Sequence, residues 1–390
     1  METQSPPQMA DLLKLVMQHE ASDLFINPGA PPCLKIHGQL RPVGDVALDA
    51  EQARGLAYAV MNERQRTQFE NALECNFAIA PHGVGRFRVN VHQQQSQVGM
   101  VLRRIESRIP TLDSLQLPKV IEDLTLTKRG LVILAGGTGT GKSTTLAAMV
   151  GHRNNHSSGH IITIEDPIEY VHPHRKCLVT QREVGVDTHT FEEALKNTLR
   201  QAPDVILIGE IRSRETMEHA IAFAETGHLC MATLHANSSN QALDRIINFF
   251  PEDRRDQLLM DLSLNLKSVI SQRLLPTPDG KGRRAAVEIM INSPLVSDLI
   301  LKNDVHMIKD VMSRSREIGM QTFDQALYDL YRQRAIRYED AIANADSQNE
   351  LRLMIKLSSD GAAQRLAEQA GDLGMMEDED PDTMNLPGLR

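Results

Sequence analysis

The first 106 residues mix two periodicities of apolar positions. Phe87, Val89 and Val91 alternate with polar residues, which is the period-two pattern of a half-buried strand. Residues 8–20 instead place apolar side chains three and four positions apart, as on one face of an amphipathic helix. The pattern predicts strands over 23–26, 33–36, 75–80, 86–92 and 98–105, and helices over 8–20 and 49–73. We therefore expect a small α+β domain over residues 1–106.

Beyond residue 119 the pattern changes to apolar runs of strand length that alternate with helical segments. The predicted strands cover 131–135, 160–164, 205–209, 228–234 and 285–291, and the predicted helices cover 142–152, 191–201, 214–225, 240–271, 294–302, 321–334 and 347–357. Such alternation is typical of an α/β domain with a mainly parallel sheet and helices on both faces. We expect this domain over residues 119–370, with its ligand site at the carboxyl ends of the strands.

Two segments have the composition of connecting or unfolded chain. Residues 107–118 are polar and contain Pro110 and Pro118, which predicts a linker between the two domains. Residues 371–390 contain a run of acidic side chains and few residues that could form a core. We predict a disordered acidic tail there.

The net charge of the chain indicates which kinds of binding partner it would attract. The chain of 390 residues carries 51 acidic and 42 basic side chains, a net charge of −9. This balance gives no general attraction to nucleic acid or to an anionic membrane, so no nucleic-acid partner is expected. No apolar run approaches the roughly 18 residues of a membrane-spanning helix, and the polar N-terminus lacks the features of a signal peptide. We therefore expect a cytoplasmic protein.

The four cysteines do not suggest a metal site or a disulfide framework. Cys33, Cys75, Cys177 and Cys230 are far apart and form no C-x-x-C pair. Zinc sites and disulfide-stabilised domains need closer or paired spacings. Free thiols are the expected state.

A glycine-rich turn between an apolar strand and a helix is the strongest chemical signal. Residues 136–143 match G-x-x-x-x-G-K-S, in which glycines let backbone N–H groups approach a polyphosphate at a helix N-terminus. Lys142 is predicted to reach the β- and γ-phosphates of ATP, and the Ser143 hydroxyl is predicted to bind Mg²⁺. The predicted nucleotide-binding residues are Gly136, Gly137, Thr138, Gly139, Thr140, Gly141, Lys142, Ser143 and Thr144.

Acidic residues follow two of the predicted strands. Glu210 ends the apolar run 204–210, where it is a candidate for Mg²⁺ contact, although Gly209 stands where many nucleotide hydrolases place an aspartate. Glu165 ends the run 161–165 and is our choice for the general base, with Glu210 second. The residues alone leave the base and metal roles of these two acids open.

Histidines and arginines supply the remaining candidates. His228 and His235 are seven positions apart, so in an unbroken strand they would face opposite sides and would not share a metal ion. His235, at the carboxyl end, is predicted to contact the γ-phosphate. Charge compensation at the phosphates could come from an arginine, as in other phosphoryl-transfer enzymes; the candidates are Arg86, Arg88, Arg103, Arg104, Arg200 and Arg212.

The motifs taken together resemble those of secretion ATPases. The Walker A, Asp box, Walker B and His box stretches are residues 136–144, 163–169, 207–212 and 226–237, in that order. Three more stretches, residues 86–90, 200–204 and 319–324, narrow the resemblance to type IV pilus retraction ATPases. The resemblance extends over residues 8–345.

This resemblance implies a homo-hexameric ring of two-domain subunits. A PAS-like N-terminal domain would precede a RecA-like ATPase domain, with ATP and Mg²⁺ bound where the two domains meet. By the same resemblance, Glu165 activates water, Glu210 supports the metal, and His228 and His235 form the His box. An arginine of the first domain would enter an active site, and Arg104 is counted among the catalytic residues. The implied partner at the membrane is the inner-membrane platform protein of the pilus machine, with this chain peripheral to it.

One stretch departs from the main retraction class. Where that class has Ala-Ile-Arg-Asn-Leu-Ile-Arg-Glu, residues 295–302 are Leu-Val-Ser-Asp-Leu-Ile-Leu-Lys, so that Ser297 and Leu301 replace both arginines. The departure favours an accessory member that acts with the main retraction ATPase. The alternatives are a pilus assembly or type II secretion ATPase, a DNA-translocating RecA-like ring, and a ring partner that binds ATP without turnover.

Overall fold

The computed structural model describes residues 8–106 and 108–358. The predicted acidic tail, residues 371–390, lies outside these described residues, and so does the end of the predicted ATPase domain. Within the described part of the chain, every helix falls short of the length and apolar content needed to cross a lipid bilayer.

The N-terminal region forms an antiparallel sheet packed against helices. Its strands are β1 (Asp23–Ile26), β2 (Cys33–Ile36), β3 (Gln39–Pro42), β4 (Glu74–Ile79), β5 (Arg86–Gln94) and β6 (Gln97–Ile105), in the order β3-β2-β1-β6-β5-β4. Its helices are α1 (Met9–Gln18), α2 (Ala50–Ala59) and α3 (Glu63–Ala72). The helix predicted over 49–73 is in fact two helices. The Asn62 side chain accepts a hydrogen bond from the backbone N–H of Gln65, and this cap starts a new helix after α2 has ended.

The second sheet has seven strands, and helices alternate with many of them along the chain. Its strands are β7 (Gly130–Ala135), β8 (Gly159–Glu165), β9 (Cys177–Glu183), β10 (Val205–Ile208), β11 (Leu229–Leu234), β12 (Leu266–Pro276) and β13 (Arg283–Ile291), in the order β13-β12-β7-β11-β10-β8-β9. The helices of this part of the chain are α4 (Val120–Leu126), α5 (Lys142–His156), α6 (Phe191–Thr198), α7 (Arg214–Glu225), α8 (Ser239–Asn248), α9 (Glu252–Asn265), α10 (Pro294–Leu301), α11 (Ile308–Arg314), α12 (Phe323–Arg332), α13 (Tyr338–Ala343) and α14 (Gln348–Ser358).

Parallel pairing brings the ends of the central strands to one edge. Strands β12, β7, β11, β10, β8 and β9 pair in parallel with their neighbours. Every side chain of β7, β10 and β11 is buried, as expected for strands covered by helices on both faces. The predicted fold class, a RecA-like parallel-sheet domain after a smaller α+β domain, is confirmed.

The structure corrects a second helix prediction and contains elements that the sequence pattern did not predict, among them β3, β9, β12, α4, α11 and α13. Residues 240–271 were expected to be helical, but the helices end at Asn265 and β12 begins at Leu266. Leu266, Val269 and Ile270 are buried where β12 pairs with β7, so tertiary pairing outweighs the helix-like spacing of these apolar residues. Strand β9 was not predicted, because Cys177–Glu183 has a mixed polar and apolar sequence suited to the edge of a sheet.

The described residues form two compact units. One contains residues 8–274 and 287–322, and thus both sheets through most of their length, while the other contains residues 275–286 and 323–358. The second unit has its own apolar cluster, which includes Leu275, Phe323 and Leu327. Within it, the Asp324 carboxylate accepts the backbone N–H groups of Asp346 at 2.8 Å and of Ser347 at 3.0 Å, just before α14.

Candidate nucleotide-binding site

The glycine-rich turn connects the carboxyl end of β7 to the start of α5. Gly139 and Gly141 adopt left-handed conformations, with φ of +77° and +88°. A Cβ at Gly141 would lie 2.8 Å from Nε2 of Gln272, which donates a hydrogen bond of 2.8 Å to the Thr140 carbonyl. Glycine is therefore required at position 141 both by its backbone conformation and by the close approach of β12.

Lys142 lies over this turn. Its Nζ donates to the carbonyl oxygens of Gly136 and Gly137, both at 2.8 Å, and the residue is only 9% exposed. Burial lowers the pKa of the ammonium, and the nearby carboxylates of Glu210 and Glu169 oppose this shift. The turn thus holds a cation beside the free N–H groups of a helix N-terminus, which is a favourable arrangement for an anion.

Glu165 ends β8 and is partly buried. Its Oε1 accepts hydrogen bonds from Thr163 Oγ1 at 2.7 Å and from Gln181 Nε2 at 3.2 Å. Burial raises the pKa of this carboxyl, and the hydrogen bonds from Thr163 and Gln181 oppose the shift. A carboxylate whose pKa is raised in this way is better matched to accept a proton near neutral pH.

Glu210 follows β10, which lies directly beside β8 in the sheet. Its Oε1 is 3.1 Å from Nε2 of His235, and its Oε2 is 2.7 Å from Nη2 of Arg212. The hydrogen bond to Glu210 raises the pKa of the Arg212 guanidinium. Glu210 therefore contacts two nitrogen-bearing side chains, one from each of its carboxylate oxygens.

These groups line one cavity of about 330 Å³. From the sequence-predicted set, the structure brings together Thr138, Gly139, Lys142, Ser143, Glu165, Glu210 and His235. The Ser143 hydroxyl and the Glu210 carboxylate offer the oxygen donors that Mg²⁺ prefers. In residues 8–106 and 108–358, no group of three or more His, Cys, Asp and Glu is placed to hold a metal. A Mg²⁺ ion that binds together with a polyphosphate needs only one or two ligands from the protein, because water and phosphate oxygens complete its coordination.

Other predicted residues lie outside the lining of this cavity. Gly136, Gly137, Thr140, Gly141 and Thr144 belong to the turn and the first turn of α5 without lining the cavity.

The two predicted catalytic residues His228 and Arg104 are not brought into the cavity. His228 precedes β11 at its amino end, where Nδ1 is 3.1 Å from Thr226 Oγ1. His235 follows the same strand at the opposite end, so the two histidines are separated by the length of β11. Arg104 pairs with Glu106 at 3.3 Å. The catalytic roles of His228 and Arg104 stay predictions.

Sequence reasoning missed several residues that line the cavity. Tyr170 donates to or accepts from Thr144 Oγ1 at 3.0 Å, and burial lowers the pKa of His172 to about 4. Both lie in the loop between β8 and β9. Arg212 was named only as a general candidate for charge compensation. Recognising β9 as a strand would have pointed to Tyr170 and His172. Because β9 pairs with β8, the loop that joins them stays close to the carboxyl end of β8, where the cavity lies.

An ion pair links the two sheets near the same edge. Arg86 of β5 lies 3.6 Å from Oε2 of Glu183, and the Glu183 side chain is 5% exposed. The Glu183 carboxylate also accepts the N–H of Ile168 at 3.3 Å. Burial raises the pKa of Glu183, while the Ile168 N–H and the Arg86 charge oppose that shift. Glu183 pairs in register with Glu165, so the first sheet contacts the strand next to the candidate base.

Comparison with known proteins identifies relatives over nearly the whole chain. The model of the family described as type II/IV secretion system protein matches residues 6–364. The type IV pilus ATPase PilU of Pseudomonas aeruginosa is 62% identical over 371 residues, which cover 95% of this chain and 97% of the relative. The type IV pilus retraction ATPase PilT of the same organism is 42% identical over 333 residues, covering 85% of this chain and 96% of the relative.

A solved structure supports the same relationship. The crystal structure of the pilus retraction motor PilT with bound ADP matches with a TM-score of 0.83 and 41% sequence identity. The match covers 88% of this chain and 98% of that chain.

Proposed function

Because the chain belongs to the type II/IV secretion system protein family, we propose that it hydrolyses ATP and powers or assists type IV pilus retraction. One observation carries the proposal: the Lys142 ammonium and the Glu165 and Glu210 carboxylates line a single cavity at the turn between β7 and α5. This combination provides a phosphate-binding cation, a metal-binding oxygen and a proton acceptor in one place.

The proposed binding step uses the turn and Lys142. The triphosphate lies along the turn, where α5 presents free N–H groups. Lys142 exchanges its hydrogen bonds to Gly136 and Gly137 for the phosphate oxygens. The attraction between its ammonium and the phosphate is stronger because little water reaches the site. Ser143 and Glu210 would hold Mg²⁺, which neutralises phosphate charge when bound.

The proposed chemical step uses Glu165 as the base. Its carboxylate accepts a proton from water as the water oxygen attacks the γ-phosphorus and the bond from that phosphorus to the β,γ-bridging oxygen breaks, which releases ADP and phosphate. The position of the carboxylate is held by Thr163 and Gln181. His235 contacts Glu210 and lines the same cavity, and it would lie within reach of the γ-phosphate, so its contact with Glu210 would respond when the phosphate leaves. Arg212 compensates charge from the outer side of Glu210.

We further propose the domain roles implied by the sequence. Residues 1–106 act as the mobile front domain, residues 107–118 act as the linker, and residues 119–370 contain the ATPase. Nucleotide occupancy closes the first domain onto the second in a hexameric ring, with sequential hydrolysis converted to work on the platform protein at the inner membrane.

The similarity to known proteins and the sequence of α10 favour an accessory role in pilus retraction. The type IV pilus ATPase PilU relative has 62% identity, compared with 42% for PilT. In α10, Ser297 donates to the Ser263 carbonyl at 2.8 Å and Leu301 is 46% exposed, at the positions where the main retraction class carries arginines. The surface of α10 is thus less basic, and we propose that this chain works beside a main retraction ATPase.

The test combines enzyme and cell assays. Purified protein is expected to release phosphate from ATP in the presence of Mg²⁺, and Lys142→Ala is expected to lower turnover by at least about 100-fold. Lys128→Ala, which changes an exposed lysine outside the cavity, is the matched control.

Retraction is then measured with this chain alone and with a main retraction ATPase. Turnover by Lys142→Ala at the native rate would contradict the site assignment. Retraction by this chain alone would contradict the accessory role while leaving the ATPase function intact.

A further inference from the structure

Gln181 makes three hydrogen bonds that join the candidate base to the wall of the cavity. The residue lies on β9, in register with Thr163 of β8. Its Nε2 donates to Glu165 Oε1 at 3.2 Å and to the Tyr170 carbonyl at 2.8 Å. Its Oε1 accepts the backbone N–H of His172 at 2.7 Å.

This arrangement uses both ends of the amide. The two hydrogens on Nε2 match two acceptors, and the carbonyl oxygen takes the remaining donor. A side chain with this pattern has little rotational freedom, because turning the amide by 180° would place oxygen against the Glu165 and Tyr170 oxygens. The orientation of the amide, and therefore its N–H toward Glu165, is set by the loop between β8 and β9.

Glu165 in turn receives two donors on the same oxygen. Thr163 Oγ1, from the buried residue two positions earlier on β8, is 2.7 Å from Oε1, and Gln181 is the second donor. Two donors from adjacent strands restrict both the position and the tilt of a carboxylate. The loop that contains Tyr170 and His172 lines the nucleotide cavity, so the same amide also fixes that wall.

We propose that Gln181 is a positioning residue that aims the Glu165 carboxylate at the attacking water and couples its orientation to the Tyr170–His172 loop. The proposal rests on the proposed ATPase function with Glu165 as the base. Gln181 does not itself touch the reacting atoms. Its effect is on how often the carboxylate is in the productive orientation, which governs kcat more than nucleotide binding.

The test compares two variants at position 181 with one control variant at an exposed position. Gln181→Leu removes all three hydrogen bonds while keeping similar bulk, and Gln181→Glu keeps the length but replaces the donor with a second carboxylate. Gln39→Leu, at an exposed glutamine on β3, is the matched control. kcat and KM for ATP are measured across pH, and thermal melting is recorded for each variant.

For Gln181→Leu, kcat is expected to fall by about 10- to 100-fold with KM changed less than about threefold. The acidic limb of kcat is expected to move to higher pH in both variants, because loss of the donor removes a stabilising contact of the ionised Glu165. The shift should be larger for Gln181→Glu, which adds a like charge. The other ionisable groups around Glu165 remain the same in every variant: Lys142, Asp166, Glu169, Tyr170, His172, Glu183, Glu210, Arg212 and His235.

The outcomes distinguish a failure of the positioning role of Gln181 from a failure of Glu165 as the base. If Glu165→Gln abolishes turnover while Gln181→Leu keeps kcat within twofold and leaves the acidic limb unmoved, the positioning role is wrong. If Glu165→Gln keeps turnover within tenfold of the native rate, the proposed base is wrong, whatever Gln181 does. If Gln181→Leu does not fold, Gln181→Glu carries the test, and an unmoved acidic limb in that variant overturns the proposal.

Discussion

Replacing Glu165 by glutamine removes one charge from the site and keeps the length of the side chain. The amide oxygen of glutamine can still accept the hydrogen bonds that Oε1 receives from Thr163 at 2.7 Å and Gln181 at 3.2 Å. The variant therefore keeps the shape of the cavity and loses the proton acceptor. A positioned general base contributes about 10²- to 10⁴-fold to a rate, which corresponds to about 3 to 5 kcal/mol in the activation barrier. We expect kcat to fall by that factor.

The same substitution should stabilise the fold at neutral pH. Burial raises the pKa of Glu165, so the folded state binds this proton more tightly than the unfolded state does. Stability contributed by this group is therefore lost as pH rises from the ordinary carboxyl range through the raised pKa. Glu165→Gln removes that loss. Its melting temperature should exceed the native value at pH 7, and the difference should shrink as the pH falls toward 4, where protonation of the native carboxyl approaches completion in the folded state and begins in the unfolded state.

The assay is single-turnover phosphate release, followed by thermal melting from pH 4 to pH 8. Glu192→Gln, at an exposed acid on α6, is the control and should change neither quantity. Turnover within tenfold of the native rate would refute the role of Glu165 as base. An unchanged or lower melting temperature at pH 7 would refute the argument that this carboxylate is buried at a cost to stability.

Three further substitutions test contacts that the fold depends on. Arg86→Ala leaves the Glu183 carboxylate without its ion-pair partner and should destabilise the fold by roughly 1 to 3 kcal/mol at pH 7. This loss should shrink toward pH 4, because Glu183 is then protonated. Asn154→Ala removes hydrogen bonds to the backbone of Pro173 at 2.7 Å and Cys177 at 3.1 Å, and should cost about 2 to 4 kcal/mol by denaturant unfolding. Asp324→Ala frees the N–H groups before α14 and should cost about 1 to 3 kcal/mol, with faster amide exchange in α14.

Each of these has a control at an exposed position. Arg41→Ala, Asn155→Ala and Glu339→Ala change exposed side chains in the same parts of the chain and should shift stability by less than about 0.5 kcal/mol. A loss for Arg86→Ala that stays constant down to pH 4 would contradict its assignment to the Glu183 charge. For Asn154 and Asp324, an effect no larger than that of the paired control would show that those hydrogen bonds contribute little.

Local sequence determined the elements that surround the phosphate site. The apolar run 131–135 and the glycine motif after it predicted a strand, a turn and a helix, and the structure has β7, the turn and α5 in these places. Strands buried on both faces carry a continuous apolar signal, and the turn carries its own glycine and lysine signal. The predictions for β8, β10 and β11 succeed for the same reason.

Local sequence was weakest where an element gains its structure from a neighbour. Strand β12 has apolar spacing that suits a helix and becomes a strand because β7 offers a partner edge. Strand β9 is partly polar and lies at the edge of the sheet, so its period-two pattern is faint. Missing β9 also meant missing Gln181, which contacts Glu165, and Glu183, which pairs with Arg86.

The sequence by itself determined that this chain contains a phosphate-binding turn, acids after two buried strands and the motif order of a secretion ATPase. Only the tertiary structure decided which of those residues meet. Strand order places β10 between β8 and β11, so Glu165 and Glu210, 45 positions apart, share one cavity, while His228 lies at the far end of its strand. The physical reason is that motifs are set by local backbone chemistry, whereas neighbours across a sheet depend on pairings between distant segments.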